Sequence, residues 1–465
     1  MGMLQYNVMV LVFAVITFVK LRQSVESAML DVFLPVLLLM PAIYFLRLPG
    51  IPVVSCYDVV LLPLGIAALV CHFHNWRFQR ADLWVLMFGL AGFYTDCINL
   101  DLKTAIYNLA EPGVLGGALA YLVGKLMIEQ TGNREQVAKR VAVLLAAVGF
   151  ISIIEFVAKH NPFVVATHWF FGRADYWGDQ FRYGFCRVKG PFMGAENAGI
   201  VFLIGLFFSL WVWYLNRSRT NVTEPKYLGL SRSTLCVGGI LLGLSLTLSR
   251  GPWLGAVAGY LIARVGLKKR KRLAMIVALL FLAIGGVLAH RSAVQLSKLS
   301  SDENTSAAIA MDERKSSAAY RTRLYEVYKP VAEEGGLFGW SGTLYPKAAA
   351  EINPRAADFF SIDNEYLLLW VAQGKVGLTL FVLIVAEAAI ALVRAILRSK
   401  DAIDTCFYFC LGGMLAGLLL VLITVFLAGQ GFVLLFLCCG WIQSLPVDDW
   451  VPRSAPRFVF RRVFT

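Results

Sequence analysis

Four short stretches concentrate charged side chains in a chain that is otherwise apolar. The first, Arg187-Val-Lys189-Gly-Pro191-Phe-Met-Gly-Ala-Glu196-Asn197, leads into an apolar run over 192–215. The second, Ser249-Arg250-Gly251-Pro252-Trp253, sits between two apolar runs with almost no linker. The third is Tyr320-Arg321-Thr322-Arg323-Leu324-Tyr325, and the fourth is Ser361-Ile362-Asp363-Asn364-Glu365-Tyr366. Guanidinium forks hold phosphate oxygens bidentately. Placed where negative charge develops, they stabilise a departing pyrophosphate without a divalent ion. A neighbouring carboxylate takes the proton of an attacking hydroxyl. This is chemistry for a lipid-pyrophosphate donor and a hydroxyl acceptor, with no metal and no cofactor. Asp363 and Arg250 are the catalytic candidates, and Arg187, Lys189, Asn197, Arg321 and Asn364 are the substrate-binding candidates.

Each stretch also has a plainer reading. Arg187 and Lys189 would snorkel to a membrane surface. Residues 249–253 would be an ordinary reversal with an interfacial Trp. Arg321 and Arg323 are two apart and point to different faces of a helix, so at least one is solvated. Asp363 would cap the helix that follows it.

The elements that position these residues are membrane spans. Of 465 residues, 58% are hydrophobic and 16% charged, and the mean hydropathy is +0.67. Soluble domains are about 25% charged. Disorder, collagen and disulfide scaffolds are excluded by the same composition. A span needs about 20 apolar residues. Candidates fall near 4–19, 30–47, 52–73, 82–100, 105–128, 137–158, 192–215, 233–249, 252–266, 273–290, 376–396, 404–427 and 430–444. The fold class is an all-α polytopic integral membrane protein of about twelve or thirteen transmembrane helices, with a large, partly helical periplasmic loop. Residues 4–19 read as a retained span. The nine cysteines form no CxxC pair and read as small buried hydrophobes.

The net charge of +13 comes from basic residues gathered in a few loops. These are Arg134–Arg140, Arg217–Arg232, Arg264–Arg272, Arg394–Lys400 and the tail from Arg453 to Arg462. By the positive-inside rule they are cytoplasmic, and nucleic acid is not the partner. Loops 159–191 and 291–362 then lie outside. Lys20 and Arg22 place the end of the first span on the cytoplasmic side. Within the large loop, Leu324, Val327, Tyr328 and Val331 repeat at helical spacing, so Tyr320 to Glu334 is an amphipathic helix. Gly335-Gly336 ends it, and Gly339-Trp340-Ser341-Gly342 forms a turn. The chain divides into N-terminal spans (1–160), core spans with the first outer loop (161–290), the periplasmic loop (291–362), C-terminal spans (363–445) and a basic tail (446–465).

These features resemble the bacterial O-antigen ligase and polysaccharide polymerase superfamily over about residues 185–385. The resemblance rests on Arg187, Gly190, Phe192 and Asn197 entering a span, and on Ser249-Arg250-Gly251. It rests further on Arg321 with Tyr325, the Gly339–Gly342 turn, and Asp363-Asn364-Glu365-Tyr366-Leu367 before Gly374-x-x-Gly377. It implies a metal-independent glycosyltransferase of the bacterial inner membrane. Such an enzyme takes glycan from undecaprenyl pyrophosphate on the periplasmic face, in O-antigen or exopolysaccharide synthesis. The implied partners are that donor, a glycan or lipid acceptor, membrane lipid and a chain-length regulator. Arg187, Arg250 and Arg321 become donor contacts.

The chain departs from the ligases in carrying Asp363 where they carry His. Nearby Arg residues are expected to lower the Asp363 pKa and weaken it as a base. Asp363 therefore orients the acceptor, or the chain is a polymerase with different acceptor chemistry. Ligation to a lipid is the alternative within the class. Outside it stands a flippase or exporter, which needs charges at the bilayer midplane; here they gather at the ends of spans.

Overall fold

A computed structural model describes residues 2–41, 43–46, 54–109, 116–171, 178–219, 224–227, 229–266, 313–359 and 361–445. The expected span at 273–290, the basic run after Gly266 and the C-terminal tail lie outside these residues.

The helices are α1 (Gly2–Leu21), α2 (Val25–Ala28), α3 (Leu34–Leu39), α4 (Cys56–His72), α5 (Arg80–Asn99), α6 (Leu102–Asn108) and α7 (Ala120–Met127). They continue as α8 (Arg134–Ala158), α9 (Pro162–Phe171), α10 (Ala195–Ser218), α11 (Arg232–Leu246) and α12 (Arg250–Gly266). After the gap come α13 (Glu313–Glu334), α14 (Tyr345–Ile352), α15 (Glu365–Arg398), α16 (Ala402–Leu422) and α17 (Gln430–Gln443). A wide turn at Met29–Phe33 joins α2 to α3 without interruption. Three two-stranded hairpins are the only strands among the described residues. The protein is a multi-pass helical membrane protein. Six of the described helices are long and apolar enough to cross a bilayer: α4 with its 3₁₀ extension, α5, α8, α10, α15 and α16. Four apolar helical stretches, Val10–Leu21, Gly116–Met127, Arg232–Leu246 and Gln430–Gln443, are shorter.

Two expected boundaries move. The run at 30–47 stops as helix at Leu39, because Met40 is extended and Phe45–Leu46 pairs with Val54–Ser55. Within the run at 105–128 helix is described up to Leu109 and again from Gly116 to Met127; residues 110–115 lie outside the described residues. The run at 192–215 becomes helix only at Ala195, so Pro191 lies before α10.

α10 and α16 are apolar on all faces and lie almost wholly inside the bundle. α12 packs on α16 through glycines. A Cβ at Gly255 would meet the Gly417 carbonyl at 2.6 Å. Gly259 and Gly413 make the same close approach one turn away. Two small-xxx-small pairs thus let the backbones touch, as packing between membrane helices requires.

Charge sorts the two ends of the bundle. At one end Arg134 bridges Glu129 and Asp404, at 2.7 and 2.5 Å. There too Arg219 meets Glu135 at 2.8 Å, and Arg140 meets Asp31 at 2.6 Å. Lys20 joins them, 3.6 Å from Asp31. Glu155, Glu196, Arg250 and Asp363 mark the opposite end of α8, α10, α12 and α15, because each lies at the other terminus of its helix.

At that far end α13 packs on the start of α15. Leu324, Val327, Tyr328 and Val331, the apolar set read from the sequence, bury against Ile362, Leu367 and Val371 in a second small core. Gly336 (φ +63°), Gly339 (φ +74°) and Ser341 (φ +67°) make the turn that follows. α15 itself is broken: Gly374 has φ +67°, ψ −167°. The break would orphan backbone groups inside a membrane protein. The turn satisfies them. The Trp340 and Ser341 amides donate to Val371 and Ala372 carbonyls at 3.0 and 2.9 Å, and Val376 N–H donates to Leu337 at 3.0 Å. A short helix, 365–373, is therefore held apart from the long span that follows.

Candidate functional site

Arg187 is 8% exposed and Lys189 2% exposed, so neither snorkels to a surface. The loop that carries them is anchored from below by Glu155, fully buried in the last turns of α8. Its two carboxylate oxygens accept the backbone N–H of Lys189 at 3.0 Å and of Gly190 at 2.9 Å. Asn161 donates to the same carboxylate at 3.2 Å and to the Gly190 carbonyl at 2.6 Å. Gly190 has φ +58°, a conformation that favours glycine.

So anchored, the loop delivers Arg187 to the turn between α11 and α12. Its Nε donates to the Thr247 carbonyl at 3.2 Å, and its Nη2 to Ser249 Oγ at 2.8 Å. The same Nη2 lies 2.5 Å from Glu196 in the first turn of α10. A hairpin, β3 (Phe181–Arg182) and β4 (Phe185–Cys186), comes in from the side. Tyr183 (φ +53°) and Gly184 (φ +78°) form its two-residue turn, both in the left-handed region that such hairpins need. Arg182 Nη1 donates to the Leu248 carbonyl at 2.7 Å. Leu248 also has positive φ, +49°. Two guanidiniums thus cap the carbonyl end of α11, where helix geometry leaves acceptors unpaired.

Arg250 opens α12 just beyond this turn. It is half-buried, and its guanidinium donates to the Tyr183 hydroxyl. Arg321 comes from α13. It is partly buried and donates no hydrogen bond among the described residues, whereas Arg323, two positions on, is exposed and 3.6 Å from Asp358. The expected division of the pair between inside and water is what the helix delivers. Asp363 arrives from the chain segment before α15 and accepts from Ser361 Oγ at 2.7 Å.

These groups share one electrostatic neighbourhood. Burial pushes the Arg321 guanidinium down; Asp363 opposes that, and Arg250 adds to it. Burial also lowers Arg182, with Arg187 and Arg250 adding repulsion. Asp363 corrects an expectation. Burial raises its pKa and outweighs the pull of Arg321 and Arg187, with Glu196 adding to the rise. Its carboxylate is a stronger base than its cationic neighbours alone would allow. Asp363 is also not the cap of α15. Asn364 takes that place, its side chain accepting from Leu367 N–H at 3.1 Å.

Two further expected site residues also have partners within the protein. Asn197 accepts from the Ala428 N–H at 3.3 Å and ties α10 to the turn before α17. Lys189 Nζ donates to the Gly178 carbonyl at 2.8 Å. Arg182, Tyr183, Glu155 and Glu196 were absent from the set chosen for chemistry. Glu155 had a signal, a lone carboxylate in an apolar run. Arg182 and Tyr183 had none, because only the hairpin turns them toward the Arg250 turn.

Guanidinium and carboxylate groups thus gather at one end of a bundle of membrane spans. Residues 235–382, from α11 into α15, match the family described as O-antigen ligase. The match agrees with the resemblance read from the motifs and supports a role in joining glycans at a membrane. It includes Arg250, Arg321, Asp363 and Asn364; Arg187, Lys189 and Asn197 precede it. No curated protein matches the chain.

Proposed function

We propose that the protein is a metal-independent glycosyltransferase of the bacterial inner membrane. It extends or transfers undecaprenyl-pyrophosphate-linked glycan on the periplasmic face. One observation carries this reading. Arg321, partly buried and without a hydrogen-bond partner among the described residues, lies within electrostatic reach of Arg250 and Asp363. An unpaired guanidinium in a partly dry site is costly, and a pyrophosphate is the ligand that offsets the cost.

The reaction follows from the placement. The acceptor hydroxyl attacks the anomeric carbon of the donor sugar, its proton passing to Asp363. The bond from that carbon to the pyrophosphate oxygen breaks, and the electron pair leaves with the lipid pyrophosphate. Arg250 and Arg321 hold the charge that develops on it. Arg187 and Arg182, whose forks are committed to the α11 turn, keep Arg250 in place. The basic ends of the helices lie at the other end of the bundle, which supports a periplasmic site by the positive-inside rule.

Attachment of finished glycan to a lipid acceptor is a second reading, favoured by the family description of the matched region. Gel profiles of surface and carrier-linked glycan, from cells lacking the chain and carrying Asp363→Ala or wild type, separate the two. Single repeats stranded on the carrier identify a polymerase. Long chains left on the carrier identify a ligase. An unchanged profile removes the glycan-transfer reading.

A further inference from the structure

A cavity of about 340 Å³ lies between the far end of α5, α6, the 365–373 helix and the Gly339–Thr343 turn. It is separate from the arginine cluster. Among the described residues its lining holds no basic side chain. Its polar lining groups include Asp96, Asn108, Thr343 and Gln373, and Phe93 and Phe432 are among its aromatic surface. Asp96 is 8% exposed and accepts from Asn108 Nδ2 at 2.9 Å. The same Asn108 amide reaches Thr343 Oγ1 at 3.3 Å. Gln373 carries a buried amide oxygen with no hydrogen-bond partner among the described residues.

Space is left by glycines on the α5 wall. A Cβ at Gly89 would meet nothing within 4 Å, and one at Gly92 would meet only the Gln373 amide, at 3.3 Å. The remaining wall is fixed by hydrogen bonds. Thr95 Oγ1 donates to the Phe338 carbonyl at 2.6 Å, and Asn99 Nδ2 donates to the Gly339 carbonyl at 3.2 Å. The cavity is therefore built by the same turn that repairs the break at Gly374.

We propose that this cavity binds a sugar ring of the acceptor glycan. The inference rests on the glycan-transfer reading above. A carboxylate, two amides and a hydroxyl around a small cavity match the adjacent hydroxyls of a pyranose, and aromatic surface suits its C–H face. The carboxylate in the wall, with no basic side chain among the described lining residues, disfavours pyrophosphate. An acyl or prenyl chain would leave the Gln373 amide oxygen unpaired and the Asp96 carboxylate without water. The 365–373 helix connects the two sites: Asp363 lies just before its start and Gln373 at its end. Nine helical residues span about 13 Å, so a glycan lying along this helix presents its terminal hydroxyl at Asp363 and seats a more distant ring in the cavity.

The test uses the full-length chain in lipid nanodiscs and two probes. One is the oligosaccharide released by mild acid from the carrier lipid of cells that make the chain. The other is undecaprenyl pyrophosphate without sugar. Wild type is expected to bind both. Asp96→Ala and Gly89→Phe, the second placed where a side chain meets open space, should weaken oligosaccharide binding at least tenfold and leave undecaprenyl pyrophosphate binding unchanged. Arg250→Ala should do the reverse. Oligosaccharide binding that is absent in wild type, or unchanged in both cavity variants, overturns the proposal. Undecaprenyl pyrophosphate binding that is unchanged in Arg250→Ala removes the transfer reading while leaving the sugar site standing.

Discussion

Arg187 donates to the Ser249 hydroxyl at 2.8 Å, and this bond joins two stretches of sequence that lie 62 residues apart. It makes Arg187 part of the frame around Arg250 rather than a free phosphate ligand. Arg187→Ala removes three charge-assisted contacts from a buried position. It should lose transfer activity and stability together, by about 2–3 kcal/mol for the stability term. Thermal unfolding in nanodiscs checks it.

Arg321 should behave in the opposite way. Among the described residues no hydrogen bond is lost in Arg321→Met, and a partly buried positive charge is removed. Activity should vanish while the melting temperature stays level or rises. A matching fall in both would make Arg321 structural.

Arg250→Lys should fail nearly as badly as Arg250→Ala, because an ammonium cannot form the two-toothed contact with a phosphate. Initial rates of the two variants against wild type decide this. Full activity in Arg250→Lys rules out the bidentate contact.

Asp363 gives a pH dependence with a definite sign. Its pKa is raised, chiefly by burial. The base must be ionised to work, so the acid limb of the rate profile should sit above the ordinary aspartate range. For stability, an acid raised on folding stabilises most below its unfolded pKa and loses that contribution as pH rises through the folded value. At neutral pH, Asp363→Asn should therefore abolish transfer without lowering the melting temperature.

Glu155 never touches substrate in this account and acts through the loop it anchors. Glu155→Ala strands two backbone N–H groups and leaves the Asn161 amide only the Gly190 carbonyl. A stability loss of about 1–3 kcal/mol is expected, with catalytic turnover falling as Arg187 loosens. Gly190→Ala should reproduce the defect, since it forces a side chain into a left-handed conformation 3.2 Å from Val148. Unfolding scans run beside turnover measurements test both.

The sequence showed the spans and the amphipathic α13 because apolar periodicity is local, and Leu324 to Val331 bury as their spacing requires. It also showed Arg250 and Arg321 as charges in places that need a reason. It did not show which arginines frame the site and which face substrate. That depends on the left-handed Leu248 and on the Tyr183–Gly184 turn, whose partners are distant in the chain. The effect of burial on Asp363 was equally invisible, since it comes from the packing of α13 against α15 and not from neighbours in sequence. The cavity beside Gln373 needed the break at Gly374, and a glycine in an apolar run does not announce a broken helix.

The most direct measurement is product formation by the purified chain in nanodiscs, with carrier-linked glycan extracted from cells that lack it. Undecaprenyl pyrophosphate released and glycosidic bonds formed are counted in parallel. Wild type should give one for one, and Arg321→Met should give neither while folding normally. Release without bond formation, or equal yields from Arg321→Met and wild type, would contradict the account.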